Sequence, residues 1–378
     1  MRDVCHAPEP CARPMTALPS VLASGRDPRP GRMCPLDYYT DPAVLARAPD
    51  ILADTLYIVG GLYGNAFALD AIEALAAAEP SSVTVVINGD AHWFDAQTSM
   101  FHQLEARLAR YPAIAGNIEF ELARDLNTGA GCGCAYPAQV SDDVVERSNR
   151  ILVQLRDAMG SLSPARARLK ALPKTLVAGV GGLRIGIVHG DPTSLAGWGL
   201  SRENLDDPES AAWLDAIGMA SQADIFASTH TCGAVMRDLR LPSRRYIVAN
   251  NGAAGMGNFD GDRRGLITRV STRRSPHATL YGLRMGAVRV DALPVAFDLH
   301  AFATTFDEIW PEGSAAELSY RRRIHGEFPS GDAASARPTA RGPHQRSRSL
   351  PASAPAAATS AMPMGYQTAT KSGESSGQ

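Results

Sequence analysis

Four side chains that can bind a metal ion recur at comparable places along this chain. Asp90, His189 and His230 each follow a short run of apolar and β-branched residues, and Asn117 lies in the segment Gly-Asn-Ile-Glu. Together they offer one carboxylate, one amide oxygen and two imidazoles. Such a set of hard and borderline ligands suits manganese, iron, zinc or nickel better than calcium. The sequence therefore predicts a site for a divalent transition metal.

The runs that precede these residues are predicted to be strands. Runs of four to eight such residues that end in glycine or a polar residue are typical of buried strands. Helical spacing of apolar residues occurs between them, over 65–80, 142–159 and 203–219. Strands that alternate with helices predict a layered α/β fold, in which ligands bind beyond the carboxyl ends of the strands. The strands are expected at 55–59, 82–87, 183–188, 224–227 and 245–249.

A glycine-rich turn joins the first predicted strand to the first predicted helix. It reads Gly60-Gly-Leu-Tyr-Gly-Asn65. Free amide groups at a helix N-terminus favour an anion, so this turn is a candidate phosphate-binding turn. Strand, turn, helix and a later acidic Asp90 are also typical of a dinucleotide-binding protein. The glycines, however, do not follow the spacing of that fingerprint, and this alternative leaves the other candidate ligands unexplained.

The order of these motifs resembles the calcineurin-like metallophosphoesterases. That family carries, in order, Asp-x-His-Gly-Asn, Gly-Asp, Gly-Asn-His-Glu, a strand-terminal His-Gly and Gly-His-x-His. The resemblance covers residues 55 to 260, and no single motif is as specific as the ordered set. The matching segments of this chain are Gly61-Leu-Tyr-Gly-Asn65, Gly89-Asp90, Gly116-Asn-Ile-Glu119, His189-Gly190 and Ala227-Ser-Thr-His230.

The resemblance implies a four-layer αββα sandwich that hydrolyses a phosphoric ester through a metal-activated water. It implies Asp90, Asn117, His189 and His230 as metal ligands. His230 would complete the metal shell or orient the water, and Glu119 would steer a ligand from outside the shell. The substrate class it implies is a phosphorylated small molecule or nucleotide.

The chain departs from the family at four positions. Gly61 and Tyr63 stand where the first motif has its two metal ligands. Ile118 replaces a histidine that protonates the leaving group in many members, and Ser228 replaces the first histidine of the last motif. The remaining ligands imply one ion, and slow turnover or a substrate with a good leaving group. A catalytically degenerate fold that acts as a binding or scaffold module is the alternative.

Five residues are candidates for contact with the substrate or the leaving group. His92 could protonate the leaving group or add a ligand, or it could be a packed loop residue. Tyr63 could bind a phosphate oxygen or fill the space of the missing ligands. Gly61 and Asn65 lie on the same turn, and Trp198 could stack on a nucleotide base or anchor its loop.

Cysteines are few, and three of them are of interest. Cys132-Gly-Cys134, with Cys232, could form a zinc or redox site. The one-residue spacer differs from that of common zinc knuckles, so small buried thiols in a tight loop are the other interpretation. If the loop approaches the predicted site, it could act as a lid or a redox-sensitive gate.

The composition and the two termini predict the partners, the location and the domain limits of the protein. The chain has 378 residues, 45% of them apolar, and a net charge of −2, which argues against a protein that coats nucleic acid or an anionic membrane. No apolar stretch reaches the ~18 residues of a membrane span, and the first residues lack a secretory signal, so a cytoplasmic protein is predicted. We expect a disordered leader at 1–35, one metallophosphoesterase-like domain with a C-terminal extension at 36–325, and a disordered tail at 326–378.

Overall fold

A computed structural model of the chain describes residues 29–124, 129–161, 163–326, 336–337 and 339–341. Within them, two β-sheets pack face to face and helices cover both outer faces. This arrangement confirms the predicted α/β sandwich. The strands are β1 (Ile51–Leu52), β2 (Thr55–Val59), β3 (Val83–Asn88), β4 (Ala113–Ile114), β5 (Thr175–Val180), β6 (Leu183–Val188), β7 (Ile225–Ser228), β8 (Val235–Arg240), β9 (Arg245–Asn250), β10 (Gly265–Ser271), β11 (Tyr281–Met285), β12 (Val288–Val295) and β13 (Thr339–Arg341).

Helices occupy the segments between many of these strands. Short 3-10 helices lie at Leu36–Tyr38, Pro42–Ala46 and Pro208–Ser210. The α-helices are α1 (Ala66–Ala77), α2 (Thr98–Leu108), α3 (Asn117–Ala123), α4 (Asp142–Met159), α5 (Pro164–Lys170), α6 (Arg202–Asp206), α7 (Ala211–Ser221), α8 (Leu299–Ile309) and α9 (Ala315–Ile324). None of the helices in the described part of the chain has the length and apolar character needed to span a bilayer.

The sheets combine parallel and antiparallel strands. One has the order β1-β5-β6-β7-β9-β8-β13, and the other has the order β11-β12-β10-β2-β3-β4. Strands β2, β3 and β4 are parallel, and so are β6, β7 and β9. Parallel strands send the segments that follow them to one edge of their sheet, which is the edge where the candidate ligands were predicted.

Alternation along the strands explains the four layers. In β2, Leu56 and Ile58 share one buried cluster with Ile187 of β6, between the two sheets. The intervening Tyr57 belongs to a second cluster, with residues of α1 and α2. Because successive side chains point to opposite faces of a strand, each sheet is apolar on both sides. The other sheet is covered by α7 in the same way.

The ends of the described chain bear on the predicted domain limits. Arg29 and Arg32, inside the predicted leader, form ion pairs with Asp142 at the start of α4. Strand β13, inside the predicted tail, pairs with β8. In the predicted extension, Trp310 donates its indole N–H to the carbonyl of Phe94 at 2.9 Å. The remainder of the leader and tail lies outside the described residues, and the domain limits stay a prediction.

Candidate metal centre

The four predicted ligands come from four different segments that end beside one another. Asp90 lies two residues beyond β3, His189 directly follows β6, and His230 lies two residues beyond β7. Asn117 is the first residue of α3. Each of the four side chains belongs to a residue that is less than a tenth exposed. The structure therefore brings the predicted ligands together in the interior of the protein.

The Nε2 atom of His189 lies close to one atom of each of the other three predicted ligands. It lies 3.1 Å from Oδ1 of Asn117, 3.2 Å from Nδ1 of His230 and 3.4 Å from Oδ1 of Asp90. Ligand atoms about 2.1 Å from one tetrahedral ion lie roughly 3.4 Å apart, so these spacings suit a single small cation. The ligand atoms of Asp90, His189 and His230 all lie within 4.8 Å of one another.

Backbone carbonyls fix which nitrogen of each imidazole faces the group. Nδ1 of His189 lies 2.9 Å from the carbonyl oxygen of Asn88, and Nε2 of His230 lies 3.1 Å from that of Cys134. A carbonyl only accepts, so these two nitrogens carry hydrogens. In the neutral rings, Nε2 of His189 and Nδ1 of His230 therefore carry lone pairs and no hydrogen, which is the form in which imidazole binds a metal.

The Asn117 amide is oriented in the same way. Its Nδ2 donates to the carbonyl oxygen of Cys132 at 2.9 Å and lies 3.5 Å from Sγ of Cys134. Its oxygen consequently faces His189. The carboxylate of Asp90, the amide oxygen and the two ring nitrogens are all electron-rich atoms, and we call them the acceptor cluster. A proton or a metal ion is what such a cluster requires.

The pKa shifts agree with this need for a cation. Burial, together with the charge of His189, lowers the pKa of His230 to about 3. Burial also lowers the pKa of His189, but the Asp90 carboxylate outweighs it and the net shift is upward. Burial raises the pKa of Asp90, and the two imidazoles reverse this to a net lowering. A proton on His189 beside ionised Asp90 thus occupies the place that suits a metal ion.

Glu119 holds the main chain around Asp90, residues 89–91, which we call the ligand loop. Its Oε2 accepts the backbone amides of Asp90 and Gly116, both at 2.8 Å, and its Oε1 accepts that of Ala91 at 2.9 Å. Asp90 needs this support because its φ of 52° lies in the left-handed region. Glu119 therefore acts on the main chain of the ligand loop through these three hydrogen bonds.

Three amides of the glycine turn are already paired inside the protein. The amides of Gly61, Tyr63 and Gly64 donate to the carbonyl oxygens of residues 89, 90 and 91, respectively. Turn and ligand loop thus hold each other through three backbone hydrogen bonds. The expected phosphate-binding role of this turn is not supported, because these N–H groups are already paired. The same pairing speaks against the dinucleotide-binding alternative.

Asn65 and Tyr63 are also engaged inside the protein. Oδ1 of Asn65 accepts the amide of Ala68 and caps α1, and its Nδ2 donates to the carbonyl of Gly255 at 2.8 Å. The hydroxyl of Tyr63 lies 2.7 Å from Sγ of Cys232. Both side chains have structural partners, so these contacts do not support the substrate-binding roles expected for them.

Trp198 packs against the loop of Cys132 and Cys134, next to the acceptor cluster. Its indole N–H donates to the carbonyl of Cys134 at 3.2 Å, and its ring meets that of His230 edge to face, with centroids 5.6 Å apart. The stacking role expected for a nucleotide base is not supported by this position. The loop of Cys132 and Cys134 does approach the site. Both thiols are free and buried, and among the described residues no group of three or more histidine, cysteine, aspartate or glutamate ligand atoms within 4.8 Å of one another includes a cysteine.

His92 lies in a different buried network. Its Nδ1 is 2.6 Å from Oδ2 of Asp95, its Nε2 is 3.1 Å from Oε2 of Glu105, and its ring stacks on Phe101. Burial lowers its pKa, but the two carboxylates outweigh burial and raise it to about 10. A protonated ring whose two nitrogens are both paired neither binds a metal nor reaches a leaving group. The catalytic role expected for His92 is therefore not supported.

The groups that orient the ligands were not among the sequence candidates. They are the main-chain carbonyls of Asn88, Cys132 and Cys134. Any residue carries a carbonyl, so no side-chain pattern identifies them. The density of glycines around Cys132 was the one available signal, because it indicates a tightly folded loop.

Comparisons with known proteins give similarity in structure alone. Neither the family models nor the curated proteins include a match to this chain. Among solved structures, the chain is similar to a metallophosphoesterase from Sphaerobacter thermophilus, with 16% identity and a TM-score of 0.46 over 72% of this chain and 99% of that one. It is also similar to a hypothetical protein from Pyrococcus horikoshii, with 18% identity and a TM-score of 0.49 over 71% and 98% of the two chains. A phosphoesterase from E. coli aligns with 13% identity and a TM-score of 0.29 over 57% and 87%. These likenesses concern the fold alone.

Proposed function

We propose that this protein is a divergent metal-dependent phosphoesterase. One divalent transition metal ion, of manganese, iron, zinc or nickel, would be held by Asp90, Asn117, His189 and His230. The observation that carries the proposal is the meeting of four electron-rich atoms, Nε2 of His189 and three others that lie 3.1–3.4 Å from it. An ion bound there polarises a phosphoryl oxygen and lowers the pKa of its water, which makes water an effective nucleophile at neutral pH.

The surroundings of Gly61 support a single ion. A Cβ atom at Gly61 would lie 2.8 Å from the ring of Tyr63, so the side chain of Tyr63 fills the space next to this glycine. These are the two positions where the related family has the ligands of its other metal. Gly61 has no side chain, and the hydroxyl of Tyr63 is hydrogen-bonded to Cys232. Neither residue is therefore placed to bind a second ion, and the acceptor cluster is the candidate site.

The chain's own residues set the range of substrates. Ile118 is buried and apolar, and its amide donates to Oδ1 of Asp90 at 3.3 Å. It supplies no proton to a departing alcohol. We therefore propose a phosphorylated small molecule or nucleotide whose leaving group departs without protonation. The free thiols of the described cysteines suit a reducing, cytoplasmic setting.

A binding or scaffold role is the second candidate, and one observation favours it. Asp90 and His230 are only 5% and 6% exposed, and the carbonyl of Cys134 bonds directly to His230. Closed metal sites of this kind are typical of structural ions, whereas catalytic sites keep a position open for water. In that case the ion would stabilise the fold and the protein would hydrolyse no phosphate ester.

One experiment separates these outcomes. The metal-free full-length protein is titrated with zinc and with manganese, its metal content is measured by elemental analysis, and hydrolysis of p-nitrophenyl phosphate and bis(p-nitrophenyl) phosphate is followed. We expect one ion per chain in the wild type and none in Asp90→Ala. Asp191→Asn is the control, because Asp191 is an equally buried aspartate whose bonds lie within its own loop. Uptake with hydrolysis supports the enzyme, uptake without hydrolysis supports the scaffold, and metal retained by Asp90→Ala contradicts both.

A further inference from the structure

A loop covers the acceptor cluster and orients two of its members. We call residues 129–137 the covering loop. The carbonyl of Cys132 in this loop accepts from Asn117 at 2.9 Å, and the carbonyl of Cys134 accepts from His230 at 3.1 Å. Trp198 donates to the same Cys134 carbonyl. The directions of the Asn117 oxygen and the His230 lone pair therefore depend on the conformation of the covering loop.

One residue near the start of the described chain joins the two ends of this loop. The amide of Gly31 donates to the carbonyl of Ala130 at 2.7 Å, and the carbonyl of Gly31 accepts the amide of Tyr136 at 2.9 Å. Ala130 and Tyr136 flank the segment whose carbonyls meet the cluster. Gly31 thus closes the neck of the loop through two backbone hydrogen bonds.

Arg32 fixes the chain just beyond this neck. Its guanidinium donates to the carbonyls of Pro137, at 2.6 Å, and Val140, and it pairs with Asp142 at 2.7 Å. The Arg32 side chain is only 6% exposed. Charge-assisted hydrogen bonds from a buried guanidinium are strong and directional, and a fork of donors can hold several acceptors in one geometry. Arg32 therefore ties the exit of the covering loop to the start of α4.

We propose that Arg32 is a positioning residue for the acceptor cluster. By holding the covering loop closed, together with Gly31, it keeps the carbonyls of Cys132 and Cys134 where they orient Asn117 and His230. Arg32 touches none of the cluster atoms in the described contacts and acts through the loop. The effect on metal binding rests on the proposed function, whereas the effect on loop opening does not.

Loop opening is measured by the reactivity of the two buried thiols in the loop. The metal-free full-length protein is treated with iodoacetamide, and modification of Cys132 and Cys134 is followed by peptide mass spectrometry. We expect Arg32→Ala to raise the modification rate about tenfold or more, because several charge-assisted bonds are lost. Arg47→Ala is the control, since the more exposed Arg47 also donates to two backbone carbonyls and pairs with an aspartate, and none of these partners lies in the covering loop.

Zinc binding provides the second measurement. We expect Arg32→Ala to weaken zinc binding about tenfold, as loss of an orienting partner does in other metal sites. Arg32→Lys should give intermediate values for both measurements, because lysine keeps the charge without the fork, and it replaces Arg32→Ala if that variant does not fold. Unchanged thiol reactivity in both Arg32 variants, or an equal rise in Arg47→Ala, would overturn the proposal. Absence of zinc uptake by the wild type would contradict the proposed function and leave the thiol measurement as the test of Arg32.

Discussion

Nε2 of His189 and Nδ1 of His230 face each other at 3.2 Å, while the opposite nitrogen of each ring bonds to a backbone carbonyl. Two neutral imidazoles in this arrangement would present lone pairs to each other. The pair is stable only with a cation between the rings, either a proton on one of them or a metal ion. His189 also faces Asp90 and Asn117, so its Nε2 lies within 3.4 Å of one atom of each of the other three predicted ligands.

We therefore expect replacement of His189 to weaken metal binding by more than a loss of folding stability alone would explain. We expect His189→Gln to reduce zinc affinity about a hundredfold or more, measured by competition with a chelator of known affinity. His277→Gln is the control, because Nε2 of His277 also bonds to a backbone carbonyl, that of Leu75, outside the cluster. Equal zinc affinities for the two variants would show that the ion binds elsewhere.

A methyl group at Gly133 should disturb the cluster from a distance. Gly133 has a φ of 68°, and a Cβ there would overlap the hydroxyl of Tyr38. We expect Gly133→Ala to weaken zinc binding about tenfold, because the flanking carbonyls of the covering loop would move. The control is Gly182→Ala, where φ is 83° and a Cβ would meet nothing within 4 Å. A similar loss in both variants would point to backbone strain alone.

Hydrolysis should depend steeply on the leaving group. Ile118 offers no proton, and His92 holds its protons between Asp95 and Glu105. We expect aryl phosphates with acidic phenols to be hydrolysed and alkyl phosphates to react far more slowly, because an alkoxide departs poorly without protonation. The measurement is kcat/KM across a series of aryl phosphates of known phenol pKa. A flat series would reveal a proton donor that the described residues do not show.

The network around His92 should shape stability against pH. Burial raises the pKa of Glu105, but Arg168 and His92 outweigh it and lower the pKa from 4.5 to about 2. This contribution is present above pH 4.5 and is lost as the pH falls toward 2. The pKa of His92 is raised from 6.5 to about 10, so its contribution is complete below pH 6.5 and is lost as the pH rises toward 10.

Urea unfolding across this pH range checks the network. We expect Glu105→Gln to lower the free energy of unfolding near pH 6 by about 3 kcal/mol, since it leaves the buried His92 and the partly buried Arg168 without their carboxylate. The exposed pair of Glu146 and Arg150 supplies the control, and Glu146→Gln should change stability by less than about 0.5 kcal/mol. Equal effects of the two variants would contradict a buried charge network.

Tyr63 offers a direct test of its predicted and observed roles. Its hydroxyl is engaged by Cys232. We expect Tyr63→Phe to leave zinc uptake and KM unchanged and to lower the free energy of unfolding by about 1 kcal/mol, the usual net value of one buried hydrogen bond. A rise in KM at unchanged stability would restore the expected contact between Tyr63 and a phosphate oxygen.

Local patterns predict five of the described strands (β2, β3, β6, β7 and β9) and the helices α1, α4, α6 and α7, because burial imposes a period on the sequence; the other strands and helices were not predicted. The predicted run 55–59 coincides with β2, 183–188 coincides with β6, and the helix at 142–159 coincides with α4. The pattern over 203–219 forms two helices, α6 and α7, because Pro208 interrupts the backbone hydrogen bonding between them.

The candidate site also contains some groups that the sequence predicts and others that it cannot predict. Side chains placed at strand ends, such as Asp90 and His230, could be predicted because parallel strands deliver their following residues to one edge. The partners of His92 could not, because they depend on α2 and on the loop reaching the same interior space. The carbonyls that orient Asn117 and His230 are equally invisible, since a main-chain oxygen has no residue type.

The left-handed backbone of Asp90 restricts which residues this position accepts. Asparagine and glycine adopt such a conformation readily, while β-branched residues strain it. Asparagine has the shape of aspartate and differs from it by one nucleotide change in the codon. The negative charge of the acceptor cluster could therefore vanish from a descendant of this protein in one evolutionary step while the surrounding architecture persists.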